Sequence, residues 1–368
     1  MKNARTEVPE LNGLRALAAL AVMLCHAKIV FDHARWATVV ARWARSGWLG
    51  VDLFFVLSGY LLTRGLYEWR EGPHYYRRFY ARRVARIFPL YYLYLAGVFA
   101  VAARVALPPH LFAPRDGDLT RFAVYLGNAV YAERWPGLLL APLWSLAVEE
   151  HFYLVWPAAF RRLTDAGVVR VTLAVAGVAA LARWAVFTGA PDLLHAVYTL
   201  TPCRVDALFV GAALAALAHA HGDARVVAGC RAHVGVALAW LAIVALTPLD
   251  HHDLEGAYVS TPFVVAGGAV TAAACAVLVG AVGPGAPPVA WLRSRALVHV
   301  GKVSYGVYLL HTAVGGALYA LAPRSWRTLP LEAWFAAWVA CTVLVATVVY
   351  RLVEAPILAL RRRLPWER

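Results

Sequence analysis

Gly50-Val51-Asp52-Leu53-Phe54-Phe55-Val56-Leu57-Ser58-Gly59-Tyr60 lies within an apolar run over residues 47–67. About 20 mostly apolar residues cross a bilayer as a helix, so this run is a span. Asp52 sits inside it. A charge at the centre of a membrane helix costs roughly 2.5–3.5 kcal/mol, and it persists by facing other polar groups. The stretch therefore predicts two things together: a membrane fold, and a polar interior that several spans share.

Working outward, comparable runs occur at 11–31, 87–107, 142–160, 166–188, 201–219, 233–249, 259–282, 300–322 and 331–353. With 47–67 these make ten. Residues 121–140 contain Asn128, Glu133, Arg134 and Pro136 and are expected to be re-entrant or interfacial. Composition agrees. Hydrophobic residues make up 61% and charged residues 15% of the 368, against about 45–50% and about 25% in soluble domains. Mean hydropathy is +0.61. Disorder, collagen, a coiled coil and a small disulfide scaffold are excluded. The expected fold is a single all-α integral membrane domain over 1–368, with about ten transmembrane helices around a polar central cavity.

The net charge of +14 lies in short clusters between apolar runs. That is the pattern of positive-inside topology and not of nucleic-acid binding. With both termini cytoplasmic, the arginines of 68–86, Arg161, Arg162, Arg225, Arg231, Arg293, Arg295 and Arg361–Arg363 fall inside, and Asp250, Asp253 and Glu255 fall outside. The loop 32–46, with three arginines outside, is the misfit and reads as an interfacial helix. The N-terminal apolar stretch has no small-x-small cleavage site and reads as a retained first span. Cys25, Cys203, Cys230, Cys275 and Cys341 are odd in number and show no CxxC spacing; they read as reduced packing residues. No metal site is expected.

Arg15, Asp52, Glu149, Glu150, Arg183, Arg204 and Asp206 fall within the predicted spans, with His26 and His311 beside them. Seven such charges, central and unpaired, would cost roughly 20 kcal/mol, so a shared polar cavity is expected. Arg15 and His26 are eleven residues apart, close to three turns, and share a face. His26, Asp52 and a glutamate of the 142–160 span lie at similar depth. A histidine beside carboxylates suits a general base. On the other side, Tyr75–Arg86 is a basic, aromatic helix in which Arg83 and Arg86 are i,i+3 neighbours. Arginine forks suit phosphate; positive-inside anchoring explains the same residues more simply. Ser58-Gly59 near mid-bilayer allows close helix packing or room for a narrow substrate tail. Arg351 and Glu354 are expected to form a local ion pair.

Together these segments resemble the acyltransferase 3 family of membrane acyltransferases, in order along the whole chain. Leu11–Ala19 is similar to "LDGLRGLAA", and Arg15 with His26 matches R-x10-H. Gly50–Tyr60 is similar to "GVDLFFVLSGF", Arg83-Val84-Ala85-Arg86 to RxxR, and Leu143–Tyr153 to "LWSLSVEEQFY". Arg204–Leu208 resembles "TRLDAL", Gly301–His311 "LGxISYSLYLxH", and Tyr350–Pro356 "YRxxExP". Asn12, Tyr60, Ala147 and His151 depart from those patterns, as does Pro202 near a family Thr, without removing a charged motif residue.

The resemblance implies acyl transfer, usually acetyl from acetyl-CoA, to a hydroxyl of a sugar, glycan or natural product in a bacterial-type inner membrane. No cofactor is held permanently; membrane lipid, acyl-CoA and the hydroxylated acceptor are the expected partners. Arg15, Arg83 and Arg86 are expected at the CoA phosphates, with Ser58 and Gly59 along its pantetheine arm. His26 is expected as base or transient acyl carrier, oriented by Asp52, Glu149 or Glu150. Tyr153, Arg204, Asp206 and His311 are expected in the cavity, Arg204 at the oxyanion. The sequence given carries no appended esterase-like domain, which favours direct transfer within the membrane cavity. A proton-coupled small-molecule transporter would bury the same residue types, but no inverted repeat is visible.

Overall fold

The computed structural model describes residues 8–30, 46–190, 193–246, 261–323 and 330–364. The expectations for Arg35, Arg42 and Arg45 and for the acidic 250–255 loop lie outside the described residues. Among those described there are sixteen α-helices and no strand. They are α1 (Pro9–Val30), α2 (Leu49–Trp69), α3 (Tyr75–Ala102), α4 (Asp118–Ala123), α5 (Gly127–Glu133), α6 (Leu143–Phe160), α7 (Asp165–Gly189) and α8 (Leu194–Thr199). There follow α9 (Thr201–Arg204), α10 (Asp206–His221), α11 (Asp223–Leu246), α12 (Thr261–Ala281), α13 (Arg295–Lys302), α14 (Ser304–Leu321), α15 (Leu331–Val349) and α16 (Ala355–Arg361).

Seven stretches among the described residues are long and apolar enough to cross a membrane: Ser46–Trp69, Tyr75–Ala102, Leu138–Phe160, Asp165–Gly189, Asp223–Leu246, Phe263–Ala281 and Glu332–Arg361. The chain is a multi-pass membrane protein, with seven such helices by length and composition where ten were expected. The difference has physical causes. The 11–31 run falls in α1, where Asn12, Arg15 and His26 dilute the apolar signal. The 201–219 run breaks at Val205 into α9 and the 16-residue α10. The 300–322 run breaks at Val303, and the 18-residue α14 that follows carries His311 and three tyrosines, which dilute its apolar signal. The 87–107 run begins earlier, at Tyr75, so the basic segment and the apolar one form a single helix of 28 residues. At 1.5 Å per residue that helix is about 42 Å long, more than the ~30 Å hydrocarbon thickness.

Residues 121–140 form no span-length helix. They fold as the end of α4, a turn at Tyr125 with φ 58°, α5, an extended link and a 3-10 turn at Leu138–Leu140. Tyrosines tie this segment to α3. The hydroxyls of Tyr91, Tyr92 and Tyr94 donate to the carbonyls of Phe122, Ala123 and Leu139 at 2.7, 2.9 and 2.6 Å. Arg121 grips Glu133 through two bonds of 2.8 and 2.6 Å, which hold the Glu133 carboxyl below its usual range. Arg134 bonds Asp118.

The buried centre is α2. It packs most extensively on α10, and also on α1 and α12. The contact with α10 is backbone-close. A Cβ on Gly59 would lie 1.9 Å from the Leu208 carbonyl oxygen, and one on Gly211 would lie 2.1 Å from that of Val56. Paired glycines let two membrane helices approach to this distance. On the periphery Leu173, Leu181, Val236 and Leu344 stand exposed, an apolar exterior that a bilayer covers.

Near the C-terminus, α15 continues as a π-helical turn over Tyr350–Glu354. Glu354 is buried and Arg351 exposed, so the expected i,i+3 ion pair does not form. The wider turn carries the two side chains to different surroundings.

Candidate functional site

The site follows from how α2 divides its faces. Val51, Phe54, Phe55 and Ser58 repeat at i, i+3, i+4 and i+7, one helical stripe, and all four line one cavity. Asp52, Val56 and Gly59 form the adjacent stripe and face α9 and α10.

Three guanidinium groups enter this first cavity: Arg15 from α1, and Arg83 and Arg86 from α3. Glu149 and Tyr153, one turn apart on α6, complete its polar wall. Glu149 accepts from the Ser58 hydroxyl at 2.8 Å and the Tyr153 hydroxyl at 3.0 Å. Arg83 lies 5.2 Å from the Tyr153 ring centroid. Its Nε is buried without a hydrogen-bond partner among the described residues. A buried guanidinium N–H left unsatisfied is a costly arrangement that an anionic ligand relieves. Glu150, the next residue along α6, is turned about 100° away and lines neither cavity.

A second cavity is lined by His26, Trp48, Tyr131, Trp135, Trp144 and Tyr198, among others. Tyr198 meets Trp48 edge-on at 6.0 Å and Trp144 at 4.8 Å between centroids. Val51 and Tyr308 line both cavities, so they form the partition between them. The Tyr308 hydroxyl is 2.5 Å from that of Ser145.

His26 meets His311, 285 residues away: Nδ1 of His26 is 2.9 Å from Nε2 of His311. Nδ1 of His311 lies 2.6 Å from the Tyr308 carbonyl oxygen. Asp52 is engaged elsewhere. Its Oδ1 accepts from Arg204 at 2.8 Å, and its Oδ2 has no hydrogen-bond partner among the described residues. Arg204 also covers the Tyr198 ring at 4.8 Å. Asp206 pairs with Arg183 at 2.9 Å, and Arg183 donates further to the carbonyls of Cys203 and Val265. These two buried ion pairs join α2, α7, α9, α10 and α12 behind the second cavity. Among the described residues no cluster of three or more His, Cys, Asp or Glu is arranged to hold a metal ion.

Three structural features escaped the sequence reading. Arg64, also within the 47–67 run, pairs with Asp223 across to α11. The available signal was a charged residue inside an apolar run. Tyr308 sits three residues before His311, on the same helical face. Val51 directly precedes Asp52 and carries no polar signal at all.

The acyltransferase domain family, Acyl_transf_3, matches residues 8–352. The chain is similar to the peptidoglycan O-acetyltransferase OatA of Listeria monocytogenes, 30% identical over 96% of this chain and 56% of the relative. It is similar to the putative peptidoglycan O-acetyltransferase YrhL of Bacillus subtilis, 34% identical over 41% of this chain and 23% of that protein. It is also similar to a putative O-acetyltransferase of Staphylococcus aureus strain COL, 24% identical over 95% of this chain and 57% of the relative. The chain thus spans little more than half the length of the relatives it matches end to end. No solved structure matches it. With the family matched across nearly all of its helices, from α1 into the π-helical turn, the chain belongs to the acyltransferase 3 family.

Proposed function

We propose that this chain is a membrane O-acetyltransferase that moves an acyl group, acetyl in the first instance, from acyl-CoA to a hydroxyl of a glycan. The observation that carries the reading is the pair of cavities. One is lined by Arg15, Arg83 and Arg86, the other by His26 and aromatic rings, and only the Val51–Tyr308 partition separates them. The arginines suit the phosphates of CoA. Aromatic walls suit the apolar face of a sugar ring, with polar groups fixing its hydroxyls. The relatives' names support a peptidoglycan-type glycan as acceptor. The arginine cavity faces the cytoplasm in this reading, because the basic 68–86 segment lies at that end. Both termini are then cytoplasmic, the shorter polar helices complete a ten-span domain around a polar centre, and the membrane is a bacterial inner membrane.

The chemistry needs a donor thioester delivered at the partition. His26 takes the proton of the acceptor hydroxyl while that oxygen attacks the thioester carbonyl carbon. The tetrahedral intermediate collapses with cleavage of the C–S bond, and the departing CoA sulfur takes the proton back from His26. Glu149, fixed by Ser58 and Tyr153, offsets part of the positive charge of the arginine wall.

The test is binding of labelled acetyl-CoA to the purified protein in detergent, beside an Arg83→Ala/Arg86→Ala double variant. Saturable binding weakened at least about tenfold in the variant is expected, since each charge-assisted bond to phosphate is worth about 1.5–3 kcal/mol. Well-folded wild type that binds no acetyl-CoA overturns the donor assignment.

A further inference from the structure

His26 is only useful as a base if the nitrogen facing the acceptor carries a lone pair. A neutral imidazole has two tautomers, and its partners select between them. The selection here runs back along α14. A carbonyl oxygen only accepts, so Nδ1 of His311, 2.6 Å from the Tyr308 carbonyl oxygen, carries a hydrogen. Neutral His311 then has its lone pair on Nε2. That lone pair faces Nδ1 of His26 at 2.9 Å, so Nδ1 of His26 is the protonated nitrogen and its lone pair lies on Nε2.

From this chain of bonds we infer that His311 is a positioning residue that fixes His26 in the Nδ1–H tautomer, with the Tyr308 carbonyl as the anchor. The inference rests on the proposed role of His26 as base. Few side chains fit this place. The residue must donate at one end and accept at the other; a carboxylate has no hydrogen to donate and an ammonium has no lone pair to accept with. The position is also rigid. His311 is 0% exposed, and Trp338 donates to its carbonyl oxygen at 2.8 Å with its ring tilted 38° to the imidazole at 5.9 Å. When His26 gains a proton on Nε2, its Nδ1–H bond to His311 becomes charge-assisted and stronger. His311 stays neutral throughout, and no second proton moves. Tyr308, whose side chain stands in the partition, thereby ties the geometry of that partition to the orientation of the base.

Magnetic resonance of the full chain labelled with nitrogen-15 histidine, in lipid at neutral to mildly alkaline pH, tests this without requiring turnover. The signal lost in His26→Gln identifies His26. It is expected to show a protonated Nδ1 and an unprotonated Nε2. In His311→Leu the same signal is expected to show both tautomers. The kcat for acetyl transfer falls about 10- to 100-fold, less than the roughly 100- to 10,000-fold that complete loss of a general base costs, with KM for acetyl-CoA changed less than about twofold. His311→Gln, whose amide both donates and accepts, restores a single tautomer and most of the rate. His26 protonated on Nε2 in wild type overturns the inference. So does a folded His311→Leu protein with the wild-type tautomer and kcat. If wild type transfers no acetyl group at all, the proposed activity fails, and the wild-type spectrum still decides the tautomer.

Discussion

Arg183 and Asp206 show at the residue scale what buried charge costs. Both are almost fully buried, and Arg183 spends its remaining hydrogens on two backbone carbonyls. Removing one partner leaves the other charged in a dry site. Asp206→Ala is expected to destabilise the protein by about 3–5 kcal/mol, whereas the double change Arg183→Met/Asp206→Leu recovers most of that loss; thermal unfolding in detergent of the two variants measures it. Tyr308 separates side chain from backbone in a similar way. Tyr308→Phe removes only the hydroxyl contact with Ser145, worth about 1 kcal/mol. It leaves the carbonyl that anchors His311, so the His26 tautomer is expected to be unchanged in the nitrogen-15 spectrum.

At the scale of elements, the α2–α10 contact is set by glycine. No side chain fits between Gly59 and the Leu208 carbonyl without moving a backbone. Gly59→Leu is expected to lower the yield of folded protein several-fold, by fluorescence-detected size exclusion, by forcing the two helices apart. The α4–α5 segment is held differently, by tyrosine hydroxyls and by the half-exposed Arg121–Glu133 pair. Glu133 titrates lower in the folded protein than in the unfolded chain. The stabilisation is therefore complete above the unfolded carboxylate range near pH 4.3. It is lost as pH falls through the lower folded value. For an exposed pair it amounts to about 0.5 kcal/mol. Glu133→Gln is expected to flatten that acid-side loss in melts compared between pH 6 and pH 3.

Across the whole molecule, the proposed transfer requires an opening at the Val51–Tyr308 partition that the two cavities share. Filling it from the α2 side is a clean test. Val51→Trp is expected to leave acetyl-CoA binding to the arginine cavity within about threefold of wild type. It should cut acetyl transfer at least about 100-fold, because the reacting atoms no longer come within about 3–3.5 Å. Equal transfer by that variant would place the reaction elsewhere. The peripheral helices α7 and α11 present apolar outward faces, with Leu173, Leu181 and Val236 exposed.

The sequence by itself determined a helical membrane protein and the polar residues that populate its interior. It also set Arg15 and His26 three turns apart on one helix, a local property, whereas the fold gives Arg15 to one cavity and His26 to the other. It placed Ser58 and Glu149 within their helices, and arginine density marked the basic end of α3. Tertiary structure decided the partnerships. A helix rotates about 100° per residue, so neighbours in sequence part company: Val51 enters the cavity wall while Asp52 turns to Arg204, and Glu149 enters while Glu150 does not. The 201–219 and 300–322 runs read as continuous because hydropathy averages over a window and cannot register a break at one residue such as Val205 or Val303. The meeting of His26 with His311 joins opposite ends of the chain, and the division of one expected cavity into two depends on Tyr308 standing across from Val51. Both are matters of packing between helices, which local periodicity does not encode.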